Sequence, residues 1–169
     1  STPKPSSAAS DVYKRQAGSG SLELDLYGGY KTELAGVAID VGAIAYAYPG
    51  SGAYKANTQE GYVGLSYGPA AFKVSRTLGS NYFATTPING GESARGTMYY
   101  DLTLSQELLP KLTGSIHAGY TNKKSDASSP SYPSFSYKDY NIGLAYDYNG
   151  YVFGVKYYKN VLGSGTKSY

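Results

Sequence analysis

A strict two-residue alternation from Ser21 to Pro49 constrains this chain more than any other feature. Leu22, Leu24, Leu26, Gly28 and Tyr30 share one parity, and Glu23, Asp25, Tyr27, Gly29 and Lys31 share the other. Further on, Val37, Ile39, Val41, Ala43, Ala45 and Ala47 alternate with Ala38, Asp40, Gly42, Ile44, Tyr46 and Tyr48. A period of two sends each set to its own face of a strand. The joining residues Thr32–Gly36 are short enough for a hairpin loop. The stretch therefore predicts an antiparallel pair with one apolar face and one carboxylate-bearing face.

The rest of the chain repeats that unit. Strands are expected over Thr58–Tyr67, Ala70–Leu78, Thr97–Glu107, Leu112–Thr121, Tyr137–Asp147 and Tyr151–Lys159. Turn chemistry separates them: Gly68-Pro69, Pro110 and Asn149-Gly150, the last being the strongest short hairpin signal. The predicted fold class is all-β, an antiparallel up-and-down meander of about eight strands. Residues 21–159 form this unit. Residues 160–169 are a tail or the start of a further strand. Residues 1–20 are polar, Pro- and Ser-containing and without strand pattern. Their first part, ending SDVYKRQ, reads as a disordered segment that is not native to the protein. An ordinary disordered arm is the other reading.

Length and composition bound the function. The chain has 169 residues, which is one domain at most, and its charge of +3 is unclustered, so nucleic acid is not a suggested partner. It has no Cys, which removes disulfides and thiolate chemistry. Asp40 and Pro49 break the longest apolar run, so no transmembrane helix is expected. A transmembrane barrel remains open, because its signal is weak in every single strand.

Three patterns point to such a barrel. Connections near residues 34, 68, 109 and 149 are tight, whereas those at 49–57, 79–96 and 122–136 are long and polar. Outer-membrane barrels alternate short periplasmic turns with long outer loops in this way. Second, one parity carries Glu23, Asp25, Asp40, Glu60, Lys73, Asp101, His117, Asp139, Asp147 and Lys156. So many ionisable groups in a dry core would cost several kcal/mol each unless paired, so that face is expected to be wet. Third, the apolar parity places Tyr30, Tyr67, Phe72, Tyr146 and Tyr151 near the tight turns. Tyr100, Tyr120, Tyr140 and Tyr157 fall near the long loops, with aliphatic residues between. Two aromatic girdles around an aliphatic band are what a bilayer selects. Tyr140 and Tyr146 are separated by roughly 20 Å along a strand, which fits a tilted crossing of a band about 25 Å tall.

The first strand read here would run away from the long-loop end and the eighth back towards it. Barrels normally start and end on the periplasmic side, so the reading expects a fragment of a barrel of ten or more strands, an even count when intact.

The segments LELDLYGGYK, DVGAIAYAYPGSG, GYVGLSYGPAAFKVS, YYDLTLSQELLPKLTGSIHAGY and YKDYNIGLAYDY resemble the TorF-family porins, a bacterial group once catalogued as conserved proteins of unknown function. The resemblance covers about Leu22–Tyr158, and its most specific pieces are ELDLYGGY and AYAYPG. It implies an outer-membrane β-barrel of a Gram-negative bacterium with a pore role. Its implied partners are outer-membrane lipids, the barrel-assembly machinery during insertion, and small polar solutes or ions. The chain departs from the family in lacking a signal peptide, opening strands and a closing strand that ends on an aromatic residue.

No constellation specifies an enzyme or a cofactor. His117 could face Asp101 across a strand pair, but a hydrolase also needs a positioned nucleophile. The carboxylates show no metal-ligand spacing, and neither Gly-Gly pair leads into a phosphate loop. On the wet parity Glu23, Asp25, Asp40, Glu60, Asp101, Asp139 and Asp147 outnumber Lys31, Lys73 and Lys156. One expectation is a slight preference for small cations. The other is that these charges pair across strands and fill a narrow interior. The Gly79–Gly96 connection is read as a surface loop, with an inward constriction as the alternative. The expected function is passive diffusion of small polar solutes or ions through an outer-membrane channel. A non-conducting structural or adhesive barrel and a soluble β-sheet ligand-binding module are the alternatives.

Overall fold

The computed structural model describes residues 24–49, 57–83, 93–123 and 135–163. They form eight strands: β1 (Leu24–Leu34), β2 (Val37–Ala47), β3 (Thr58–Tyr67), β4 (Ala70–Thr77), β5 (Met98–Leu109), β6 (Leu112–Lys123), β7 (Phe135–Tyr148) and β8 (Tyr151–Leu162). Each pairs antiparallel with the next, in one open sheet of order β1 to β8. The architecture is thus an all-β meander. The N-terminal segment 1–20, Glu23 and the middle of each long connection lie outside the described residues.

All four tight connections are two-residue turns, and in two of them both residues have positive φ. Ala35 and Gly36 have φ of 52° and 81°, and Asn149 and Gly150 have 51° and 89°. Two consecutive positive φ values match the right-handed twist of the flanking strands. The first loop is shorter than the five residues expected from sequence. Thr32, Glu33 and Leu34 pair with Ile39, Ala38 and Val37, because ladder hydrogen bonds extend the strands up to the turn. The same completion of backbone pairing lengthens β5, β6, β7 and β8 by one to three residues at their ends. β8 runs to Leu162 because β7 supplies partners from Tyr137 onward.

The third turn has its positive φ at a long side chain. Lys111, a residue with a side chain, sits at φ 70° after Pro110. Its N–H donates to Glu107 Oε1 at 3.0 Å and its carbonyl accepts from Asp147 N at 2.8 Å. The ladder slips one residue here, between Glu107 and Leu109, as a bulge does to admit a turn of the wrong hand.

The two faces are exposed in an inverted sense. Leu26 (61%), Val63 (48%), Ile142 (57%) and Val155 (68%) stand open on the apolar face. On the polar face Thr58, Ser75, Thr77 and Thr121 are buried. The polar face is also concave. Just past β4, Tyr82 and Phe83 touch residues of β2, β3 and β7. A flat sheet would hold β2 and β7 five spacings apart, about 24 Å. Only a sheet curled around its polar side brings them to one short segment.

Because a left-handed backbone costs a side-chain-bearing residue about 1 kcal/mol or more, Lys111→Gly should raise the urea midpoint of unfolding. Lys111→Val should lower it, since a β-branched residue tolerates positive φ least. Equal midpoints for all three proteins, followed by circular dichroism, would remove the strain assigned to this turn.

Candidate functional site

The strand register lines up the charges. Cross-strand partners run Lys31, Asp40, Gly64, Lys73, Asp101, Gly119, Asp139 and Asn160, one residue per strand from β1 to β8. Alternation on each strand puts all eight on the concave polar face. The belt therefore pairs Lys31 with Asp40 and Lys73 with Asp101, and continues through Gly119 to Asp139 and Asn160. It is not level with the turns. Asp40 lies four positions past Gly36 and Lys73 four past Pro69, whereas Asp139 precedes Asn149 by ten. Such a stagger belongs to strands that tilt as a sheet curls.

On the β1–β4 side, Lys31 Nζ lies 3.1 Å from Asp40 Oδ2. The Tyr62 hydroxyl donates to Asp40 Oδ1 at 3.3 Å. Lys73 Nζ stands 6.0 Å from the centre of the Tyr62 ring, within reach of a weak cation–π attraction. The Lys31–Asp40 pair is half open to solvent, so it contributes at most about 1 kcal/mol.

The β5–β7 side holds a tighter network. His117 Nε2 lies 2.8 Å from Asp139 Oδ1, and its Nδ1 lies 3.4 Å from Asp101 Oδ1. The Tyr99 hydroxyl donates to Asp139 Oδ1 at 3.1 Å. Thr103 Oγ1 donates to Asp101 Oδ1 at 3.1 Å and lies 3.2 Å from His117 Nδ1. A neutral imidazole with its proton on Nε2 satisfies Asp139 and accepts from Thr103, whereas a protonated ring donates to both carboxylates. Hydroxyl, imidazole and carboxylate stand in line, as in a nucleophile relay. Here Asp101 and His117 compete for the one hydroxyl proton of Thr103.

Gly119 makes this packing possible. A side chain there would collide with both Asp139 oxygens and the Tyr99 hydroxyl. The polar network thus needs a residue without Cβ between its two carboxylate strands.

At the long-loop end residues 78–83, whose stem pairs with residues 94–97, turn onto the same face. Thr77 N–H donates to the Thr97 carbonyl (2.9 Å), Gly96 N–H to the Thr77 carbonyl (2.9 Å) and Ala94 N–H to the Ser80 carbonyl (2.8 Å). Between these stems Tyr82 is only 7% exposed. Burial pushes its hydroxyl well above the ordinary tyrosine value, and Tyr137, to which it is hydrogen-bonded, adds to the rise.

The remaining expected residues separate by place. Asp25 is an exposed partner of Tyr46, and Glu60 sits half-buried between Ile44 and Thr77. Asp147 Oδ1 accepts from Gly150 N at 2.9 Å and so caps a tight turn. Lys156 is exposed opposite Gly143. On the apolar face Tyr30, Tyr67, Phe72, Tyr100, Tyr120, Tyr140, Tyr146, Tyr151 and Tyr157 are all exposed. Tyr100 and Tyr120 are cross-strand partners whose rings stack at 6.2 Å. The turn-side and loop-side aromatics do not form two register rows. Phe72 shares its row with Tyr140, and Tyr67 partners Ala70 in the row that ends at Tyr157. A staggered row climbs from one end of the sheet to the other.

Sequence reading did not select Tyr62, Tyr99, Thr103, Lys123 or Tyr82. Tyr62, Tyr99 and Thr103 carry a legible signal, a hydroxyl on the charged parity. Lys123 is nearly buried on the polar face, at a position that β6 reaches only because β7 extends to pair with it. Among the described residues no group of three or more His, Asp or Glu is arranged to hold a metal ion.

Two outcomes follow from this geometry. Gly119→Ala should destabilise the protein by about 1–3 kcal/mol through overpacking, read as a lower urea midpoint, whereas Gly154→Ala, where the sheet leaves space, should have a far smaller effect. Equal losses at the two positions would refute the crowding. For Tyr82, the folded state holds its proton more tightly than the unfolded chain. Its contribution is complete below the ordinary tyrosine value, about pH 10, and is lost progressively as pH rises above it towards the raised folded value. Tyr82→Phe should therefore show a shallower alkaline fall in stability than the parent, and identical slopes would contradict the assignment.

Searches of curated proteins and of solved structures each return no match for this chain. A family model described as "Bacterial protein of unknown function (Gcw_chp)" matches residues 6–162, nearly the whole chain, and the chain therefore belongs to that bacterial family.

Proposed function

We propose that the chain is part of an outer-membrane β-barrel of ten or more strands that lets small polar solutes or ions diffuse passively, in the manner of the TorF-family porins. The observation that carries this reading is the inverted exposure of the sheet. Its aliphatic and aromatic side chains are open while its charged side chains line a concavity. A monomer in water does not leave so continuous an apolar surface uncovered. Hydrocarbon would satisfy that surface, and a hydrated interior would satisfy the charged belt.

Two further features support it. The outward-facing charges among the described strand residues are Arg76, Lys138 and Lys159, all towards the long-loop ends of β4, β7 and β8. Long basic side chains at such positions can reach a polar border while their stems lie along hydrocarbon. β1 and β8 are the ends of the sheet order. Free edges of that length invite pairing in water, and a closed barrel removes them. In this reading the interior works without turnover. Aspartates of the belt attract cations, and its lysines temper the preference.

The test is conductance in planar bilayers of the intact barrel that contains this chain, with a reversal potential measured across a salt gradient. The expected result is discrete conductance steps and a modest cation preference, reduced when Asp101 and Asp139 are both replaced by Asn. Binding to bilayers without any conductance would favour a structural or adhesive barrel. A protein that stays in the aqueous phase on detergent partitioning would remove the membrane reading altogether.

A further inference from the structure

The described start of the β4–β5 connection, a strap of residues 80–83 tied to residues 94–97, does something that a surface loop has no reason to do. Tyr82 and Phe83 leave the wall of the sheet and turn onto its concave face. The Phe83 ring lies 4.9 Å from that of Tyr46 on β2, and 5.0 Å from that of Tyr82. The Phe83 N–H donates to Thr58 Oγ1 on β3 at 2.8 Å. On the other flank, Tyr82 is hydrogen-bonded to Tyr137 on β7. Two adjacent residues thus bridge opposite walls of the curled sheet.

The position is held rather than visited. Phe83 adopts φ of 39°, a left-handed conformation that costs a bulky residue and persists only where surrounding contacts enforce it. Thr97 Oγ1 donates to the Ala94 carbonyl at 2.7 Å, fixing the returning stem, and Ala94 is 1% exposed. Beneath the strap lie Thr58, Thr77, Thr97 and Thr121, each fully or almost fully buried. Both stems are therefore anchored in the strand ladder, and two aromatic rings are held over the concave face on the long-loop side of the charged belt.

We infer that this strap is the constriction that sets the size limit for solutes, with the rings of Tyr82 and Phe83 as its specificity-determining residues; the inference rests on the pore reading above. Charge then acts at one level of the interior, the belt, and bulk acts at another, the strap. A larger solute meets two rings held from both walls.

Osmotic swelling of liposomes tests this, using the intact barrel that contains this chain and a mono-, a di- and a trisaccharide as probes. The parent, F83A, Y82A/F83A and Y82F are compared, each first checked for heat-modifiable gel mobility as a sign of folding. The expected result is that F83A admits the disaccharide several-fold faster relative to the monosaccharide than the parent does. Y82A/F83A should extend the gain to the trisaccharide, and Y82F, which keeps the ring, should preserve the parental order. If all four proteins swell liposomes with the same ratios between sugars, the constriction is wrong while the pore stands. If none swells liposomes with any sugar, the pore reading fails and the constriction falls with it.

Discussion

Desolvation is the constraint on which this structure depends. Five charged side chains, Lys31, Asp40, Lys73, Asp101 and Asp139, lie in one cross-strand row on one face of one sheet. A dry core cannot take that row, because an unpaired buried charge costs several kcal/mol and even a paired one rarely recovers its hydration. The aliphatic parity of the same strands then has no interior to enter among the described residues. Alternation makes the two faces inseparable: wherever one goes, the other points away. Every larger feature, from the inverted exposure to the curl around the polar side, is compatible with that single restriction.

The polar face is organised rather than simply wet. Tyrosines serve it as well as carboxylates do. Tyr62 reaches Asp40, Tyr99 reaches Asp139, and Tyr82 reaches Tyr137. A phenol brings a long rigid arm with a hydrogen-bonding tip, so it can satisfy a partner a strand away at little conformational cost. Gly119 in the row gives the Tyr99 arm its space. Tyrosine is therefore used twice in this protein. On the outer parity its rings are exposed among aliphatic residues, and on the inner parity its hydroxyls knit strands together.

The elements themselves were legible because strand formation here is local and repetitive. Period-two alternation, bounded by Gly68-Pro69, Pro110 and Asn149-Gly150, locates all eight strands within a few residues. The ends were less legible, since backbone pairing continues wherever a partner exists, as at Lys123 and Asn160. The His117–Asp101 approach was also readable, as both lie on the charged parity of hairpin-linked strands. Its second carboxylate, Asp139, required knowing the β6–β7 register across a connection whose length does not determine pairing. The inward strap was not favoured by sequence reading. Nothing local in the run Ser80–Phe83 distinguishes an aromatic pair exposed on a loop from one laid across the inner wall.

The sequence by itself determined the meander, the two chemically opposed faces and the four tight turns, because these depend on alternation and on the φ preferences of residues in contact along the chain. Tertiary structure alone decided the register that lines the charges into one belt, the stagger that tilts it, and the closure of Tyr82 and Phe83 over the concavity. Those features depend on the curvature of the whole sheet, which brings β2 and β7 to the same two side chains. Curvature is a sum over many strand pairs, and no single segment records it.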